Sequence, residues 1–461
     1  MEEQERQCEQ MVNKKVLVLG LAKTGVSVVN WLTQMGALVT VNDKCPLDQN
    51  KAAQDLIEKD VRVITGGHPI ELLDEDFAFM VKNPGIPYTN PLVKRALEMG
   101  LPVYTDIELV EWLHRGTIVG ITGSNGKTTT TSLTGAILKA DKSFAGRTEV
   151  AGNIGIPALD IAPQLTSKDR LVLELSSFQL MGTKTFRPNI AAIIDIYPTH
   201  LDYHGNLENY IAAKWHITAN QGPEDVLFLN YDQEVLWSRR HQTQAKVIPF
   251  SLETPLEDGI WYNTSEGKIF WKKEAVIDRA DLFLPGDHNV QNALVAIGIA
   301  KVLGVSNAVI QETCRQFTGV KHRIQYVQTV NKRKFYNDSK ATNNEACMTA
   351  LKSFNQSLVW IAGGLDRGNS IDELLPYLKN VHAAVVMGET QEKFAQLVKK
   401  AEITQLEYAK DIEEATQKAY AMSKEDDIIL LSPACASWDQ YPNFEVRGDR
   451  FIQAISQLEN L

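Results

Sequence analysis

Ile118-Val119-Gly120-Ile121-Thr122-Gly123-Ser124-Asn125-Gly126-Lys127-Thr128-Thr129 is the stretch on which the reading of this chain turns. A β-branched apolar run ends in glycines, a lysine and hydroxyls, and a helical pattern follows, which is the order of a phosphate loop. The glycines let backbone amides wrap a polyphosphate at a helix N-terminus. Lys127 supplies a mobile cation, and the Thr128 hydroxyl can reach magnesium. Ile121 stands where the common G-x-x-x-x-G-K-[ST] pattern has its first glycine, so the loop departs from the usual spacing, and a structural turn is the alternative.

Working outward, short apolar runs alternate with helical patterns. Before the loop they lie at 16–19, 38–41, 61–64 and 77–81, and from the loop onward at 118–121, 171–175, 190–196 and 226–229. A third series holds 358–362, 383–387 and 428–431, after a helical segment at 289–303. Such alternation predicts parallel α/β sheets. With 461 residues the chain is long enough for about three domains. The expected fold is α/β in three consecutive domains: a Rossmann-like domain (1–106), a central P-loop ATPase-type parallel sheet (107–319) and a Rossmann-like C-terminal domain (320–461). A linker helix is expected near 105–116.

A net charge of −10 gives no broad basic footprint, so no nucleic-acid partner is expected, and phosphate-bearing ligands must be held by local loops. Five scattered cysteines, none in a CxxC pair, point to free thiols in a reducing compartment, hence the cytoplasm. Residues 1–15 are polar, and no uncharged run of about 18 apolar residues occurs, so neither secretion nor membrane insertion is expected.

Several short segments could carry chemistry. Gly20-Leu21-Ala22-Lys23-Thr24-Gly25 follows a strand, with Asp43 about twenty residues on, as in a dinucleotide fingerprint. Ala22 in the central glycine position obstructs a pyrophosphate, which favours a nucleotide-shaped ligand without NAD geometry, or simply a tight turn. Glu174 ends an apolar strand and suits magnesium or a salt bridge. Asn153 sits in a possible turn. His200, Asp202 and His204 gather on one loop as ligands, acid-base groups or hydrogen-bonded structure. Lys214 reads as a solvated surface lysine. Asn289 and Asn292, three apart at a helix start, suit an adenine edge, and Asn289 equally suits an N-cap. The loops 337–343, 363–367 and 432–437 follow strands and could converge at carboxyl strand ends, or be plain polar loops.

Together these segments resemble the Mur ligase family over essentially the whole chain. The most specific parts are 123–129, 173–180, 337–343 and 432–444. The resemblance implies an ATP-dependent ligase that adds D-glutamate to UDP-N-acetylmuramoyl-L-alanine in cell-wall precursor synthesis, acting as a monomer with ATP and two Mg2+ ions. It implies that Gly123, Ser124, Asn125, Gly126, Lys127, Thr128 and Thr129, with Asn289, Asn292, Arg323 and Asp338, bind ATP. Ala22, Lys23, Thr24, Asp43, Asn83, Gly85 and Asn153 fall to the UDP substrate, and Lys340, Thr342, Arg367, Ser437 and Phe444 to D-glutamate. Thr128, Glu174, His200 and Lys214, the last as a carbamate, would surround metal, and Lys127, His200 and Lys214 would be catalytic. A family ligase for another amino acid is disfavoured by the segment holding Ser437 and Phe444. An NAD-dependent oxidoreductase would leave the phosphate loop unexplained, and a non-catalytic regulator would leave Lys127, Glu174 and Lys214 without purpose.

Overall fold

The computed structural model of the chain describes residues 11–113 and 116–458. Cys8, expected as a free thiol, and residues 114–115 of the expected linker lie outside them.

Strands β1 (Lys15–Leu19), β2 (Leu38–Asp43), β3 (Arg62–Thr65), β4 (Phe79–Lys82) and β5 (Val103–Tyr104) form a parallel sheet in the order β3-β2-β1-β4-β5. Strands β1 and β4 are buried along nearly their whole length, the pattern of strands covered on both faces. The order reverses between β1 and β4, which opens a ligand crevice at their carboxyl ends. Those ends carry the Gly20–Thr24 turn and the loop with Asn83 and Gly85. The expected linker helix is Asp106–Leu113.

The second sheet has nine strands: β6 (Thr117–Thr122), β7 (Thr148–Gly152), β8 (Arg170–Glu174), β9 (Ile190–Ile193), β10 (Val226–Asn230), β11 (Lys246–Ser251), β12 (Ile260–Asn263), β13 (Lys268–Trp271) and β14 (Glu274–Asp278). Their order is β14-β13-β12-β11-β10-β9-β6-β8-β7. The expected strands are β6, β8, β9 and β10 of its parallel part, to which β7 and β11 add one on each side, and β12, β13 and β14 extend one edge as an antiparallel meander. One face of that meander is half exposed, so its residues lack the continuous apolar run on which the parallel strands were read. Strand β6 lies between β8 and β9, so the ends of three adjacent strands surround the phosphate loop.

The third sheet runs β15 (Gln325–Val330), β16 (Arg333–Asn337), β20 (Ile428–Leu431), β17 (Leu358–Gly363), β18 (Val381–Met387), β19 (Gln405–Ala409). It is parallel except for the edge hairpin β15–β16. The loops after β16, β20 and β17 leave three neighbouring strands at the same end.

The chain divides into two compact units: everything up to Arg279 with Gln291–Thr313, and Ala280–Val290 with Cys314 onward. The first holds the five- and nine-stranded sheets. One apolar core runs through both, joining Val28 and Leu32 to Leu109, Leu159 and Leu171.

Candidate active site

The phosphate loop is braced from beneath. Gly126 has φ 73°, and a Cβ there would overlap the Asn292 carboxamide, so only glycine fits. Asn292 also accepts from the Thr130 hydroxyl at 3.2 Å. The loop amides of Ser124 and Asn125 donate to the Asp195 main-chain carbonyl (3.0 Å) and carboxylate (2.8 Å). Ser124 Oγ meets the Tyr210 hydroxyl at 2.9 Å. Lys127 begins the helix Lys127–Ala140 and turns Nζ back onto the carbonyls of Gly123 (2.8 Å) and Ser124 (2.7 Å). Thr128 and Thr129 are buried in the first turn.

Lys214 overturns its expectation as a surface residue: it is 2% exposed. The helix Leu207–Trp215 delivers its Nζ to Gly123 O at 2.7 Å, over the Tyr210 ring. Burial, followed by repulsion from Lys127, holds the amine well below the usual lysine range, against the pull of Asp195 and Glu174. Burial in turn pushes the Asp195 carboxyl up, opposed chiefly by the Asn125 amide. Glu174, at the end of β8, accepts from Asn153 Nδ2 at 2.9 Å through one oxygen. Its other oxygen is buried with no hydrogen-bond partner. Asn153 therefore acts as a brace for this carboxylate.

The histidine loop divides by burial. His200 is exposed, with φ 55°, at the head of the turn Leu201–His204, and its ring packs edge-on to Phe178. His204 is buried, bonds Ser177 Oγ at 3.0 Å and stacks on Phe178, so it is a structural histidine.

In the five-stranded sheet Asp43 ties two loops, accepting from the amides of Leu21 (2.7 Å) and Cys45 (2.8 Å). Ala22 precedes the helix Lys23–Gln34 without a side-chain cap, and Ala22 and Lys23 are exposed at the crevice, with Thr24 half-buried. A Cβ on Gly25 would overlap the Gly20 carbonyl, which is why the turn closes so tightly. Asn83 Oδ1 accepts from the Gly85 amide at 3.3 Å.

Within the second unit, Asn289 bonds Pro285 O at 2.7 Å. Asp338 accepts from Ser432 Oγ (2.8 Å) and the Ile324 amide (3.1 Å), and burial raises it to about 7. Arg323 bears a buried, unpartnered Nε. Lys340 Nζ lies over the Phe444 ring. Ser437 Oγ is buried and unpartnered, while Arg367 is exposed against Trp438. A cavity of about 500 Å³ brings Thr342 and Arg367 together with Asp366, Lys393 and Cys435, but Lys340, Ser437 and Phe444 do not line it.

Sequence reasoning missed Asp195, Tyr210 and Arg447. Asp195 had a usable signal, an acid just beyond a buried strand beside the loop, the same sign that marked Glu174. Arg447, fully buried, donates to Ser339 Oγ and O and to Cys435 O, fastening two loops of the third sheet. Its position inside a helical pattern gave no such sign.

Among the described residues no group of three or more His, Cys, Asp and Glu side chains is arranged to hold a metal, and no helix is long and apolar enough to cross a membrane. The free oxygen of Glu174 and the Thr128 hydroxyl nevertheless supply the hard donors that magnesium prefers, so the residues fit that ion.

Three family descriptions match in succession: a Mur ligase MurD-like N-terminal domain at 14–105, a Mur ligase middle domain at 121–300 and a Mur ligase glutamate ligase domain at 322–435. The UDP-N-acetylmuramoylalanine–D-glutamate ligase of Enterococcus faecalis is 54% identical over 97% of both chains. That of Lactiplantibacillus plantarum is 52% identical over 98% of both. Among solved structures, a MurF from Acinetobacter baumannii superposes with TM-score 0.59 at 18% identity, covering 98% of each chain. A MurF from Thermotoga maritima, in complex with ADP, gives 0.56 at 16% identity over 98% of this chain and 96% of that one. At such identities the structures speak for the fold alone.

Proposed function

The chain belongs to the Mur ligase family, and from that premise we propose how its residues divide the work of the reaction. It is an ATP-dependent ligase that adds D-glutamate to UDP-N-acetylmuramoyl-L-alanine in peptidoglycan precursor synthesis. Domain boundaries near 106 and 319 and a cytoplasmic monomer belong to the same proposal.

A carboxylate is too poor an electrophile for an amine at neutral pH, so the alanyl carboxylate first takes the γ-phosphoryl group of ATP, releasing ADP. The amine of D-glutamate then attacks the acyl carbon, and phosphate leaves from the tetrahedral intermediate as the amide forms. The loop 123–129 holds the polyphosphate, and Lys127 swings from its own loop carbonyls onto the transferring phosphoryl oxygens. Thr128, Glu174, His200 and a carbamylated Lys214 would hold two magnesium ions. Bound magnesium supplies charge neutralisation at those oxygens. A neutral Lys214 amine adds carbon dioxide by forming an N–C bond and losing a proton, which turns a buried cation into an anionic oxygen donor. Asn289, Asn292, Arg323 and Asp338 serve the nucleotide. Ala22, Lys23, Thr24, Asp43, Asn83, Gly85 and Asn153 serve the UDP substrate, and Lys340, Thr342, Arg367, Ser437 and Phe444 serve D-glutamate.

The observation that carries this division is the buried lysine and the unpartnered carboxylate oxygen beside one phosphate loop. The test is ATP-dependent phosphate release with UDP-N-acetylmuramoyl-L-alanine, comparing D-glutamate with L-glutamate, L-alanine, L-lysine and diaminopimelate. Turnover with D-glutamate alone is expected. Turnover with another amino acid would overturn the assignments in the third sheet.

A further inference from the structure

Lys82 closes strand β4 with 1% of its surface exposed. Its Nζ donates to the carbonyls of Ile86 (2.9 Å) and Pro84 (3.2 Å), and lies over the Tyr88 ring at 4.6 Å. From the nine-stranded sheet, the Tyr203 hydroxyl reaches the same two carbonyls, at 3.1 Å and 3.3 Å, and stands 3.4 Å from Nζ. Tyr203 is in the turn headed by His200, and its ring packs on Phe178 at 4.5 Å. Tyr88 itself donates to Met181 O at 3.0 Å, a second tie between the same two sheets.

A buried ammonium is costly unless each proton finds an acceptor. Burial lowers this lysine to about 8, and the buried carboxylate of Asp106, bonded by Gln179, pulls the other way. A methionine of similar length would fill the space without that cost, so packing alone does not account for the charge. What it holds is the turn 83–86, whose members Asn83 and Gly85 are assigned above to the UDP substrate, against the turn that carries His200.

We propose that Lys82 is a positioning residue for the UDP substrate: with Tyr203 it locks the 83–86 turn of one sheet to the His200 turn of the next, setting the alanyl carboxylate at the phosphate loop. The inference rests on the substrate assignment of that crevice. It assigns Lys82 no contact with substrate, only the carbonyls that shape its loop.

The experiment measures binding and steady-state kinetics of Lys82→Met and Tyr203→Phe in the full chain. KM and the calorimetric Kd for UDP-N-acetylmuramoyl-L-alanine should rise about tenfold in Lys82→Met, the scale of losing a hydrogen bond to a charged group. Affinity for ADP should stay within about twofold, because the hydrogen bonds of the lock run to Pro84 and Ile86 and not to the phosphate loop. Tyr203→Phe keeps the ring and removes only the hydroxyl, so a smaller shift of the same kind is expected. Adding it to Lys82→Met should then cost little more. Unchanged UDP-substrate affinity, or equal losses for both ligands as a merely structural role would give, overturns the proposal. Should Lys82→Met not fold, Tyr203→Phe with unchanged affinity overturns it alone. Wild-type chain that binds no UDP substrate would instead overturn the functional reading beneath it.

Discussion

A primary amine that is 2% exposed, 2.7 Å from a carbonyl and repelled by a second lysine is held where its protonated form is disfavoured. Neutral amines are the ones that react with carbon dioxide, so chain equilibrated with 13C-bicarbonate should give a carbamate carbon signal that Lys214→Arg abolishes. Lys214→Ala should lower turnover by about a hundredfold or more, the scale of losing one preorganised charge-stabilising group. An unchanged rate and no signal would remove Lys214 from the site. Asp338 gives a second prediction. Burial lifts it from the ordinary 3.8 to about 7, so between those values the folded chain keeps a proton that the unfolded chain has lost. Its contribution is therefore full below about pH 3.8 and is lost as pH rises through about 7. Asp338→Asn should flatten that part of the denaturation profile of its own unit, while Asp106, which burial raises to about 6, gives the first unit a slope of the same sign. Denaturant midpoints at pH 5 and pH 8 measure it. Neither residue's environment was legible in the sequence, because burial of a lone charge depends on partners far away in the chain: Gly123 lies 91 residues from Lys214, and Ser432 lies 94 from Asp338.

Elements were more legible than environments. Strand β6, the glycine loop and the helix Lys127–Ala140 all followed from local pattern, because phosphate loops need fixed residue types at fixed steps. So did the parallel strands buried on both faces. What escaped were edge elements such as β7, β19 and the β12–β14 meander, and inside their sheets β11 and β16, where partial exposure interrupts the apolar run, although 264–267 was a readable hairpin turn. The loop itself supports a sharp prediction. Gly126 lies in the left-handed region, which costs a residue with a side chain about 1–2 kcal/mol. The overlap with Asn292 adds to that, so Gly126→Ala should lose more stability than the backbone term alone and should weaken ADP binding. The double variant Gly126→Ala with Asn292→Ala should recover part of the stability loss but not the binding. Equal losses in both variants would mean that the Asn292 contact is not what reserves the position for glycine.

At the scale of the whole molecule, the first unit joins two sheets through polar ties as well as the shared apolar core. Ser27 Oγ donates to Asp160 at 2.6 Å, Thr105 Oγ1 to Gln179 O at 2.6 Å, and Tyr88 to Met181 O. The Thr105 and Tyr88 ties are side chain to backbone, the first buried and the second at the surface, and both are lost if the sheets part. The five- and nine-stranded sheets should therefore open as one cooperative unit, while the unit containing β15 to β20 opens at a free energy of its own. Native-state hydrogen exchange read by mass spectrometry across a denaturant series separates these cases. A ligand bound to the folded first unit at one hundred times its Kd should stabilise that unit by about 2.7 kcal/mol. Adding ADP, which within this unit is assigned only to the phosphate loop and Asn292 beside the nine-stranded sheet, should accordingly slow exchange in β6 and in β1 by the same factor, because a ligand held by one sheet protects both only if both must open together. Protection confined to β6 would mean that the apolar core and its ties are too weak to couple the sheets, and the lock at Lys82 would then have to act without cooperative support from the rest of the interface.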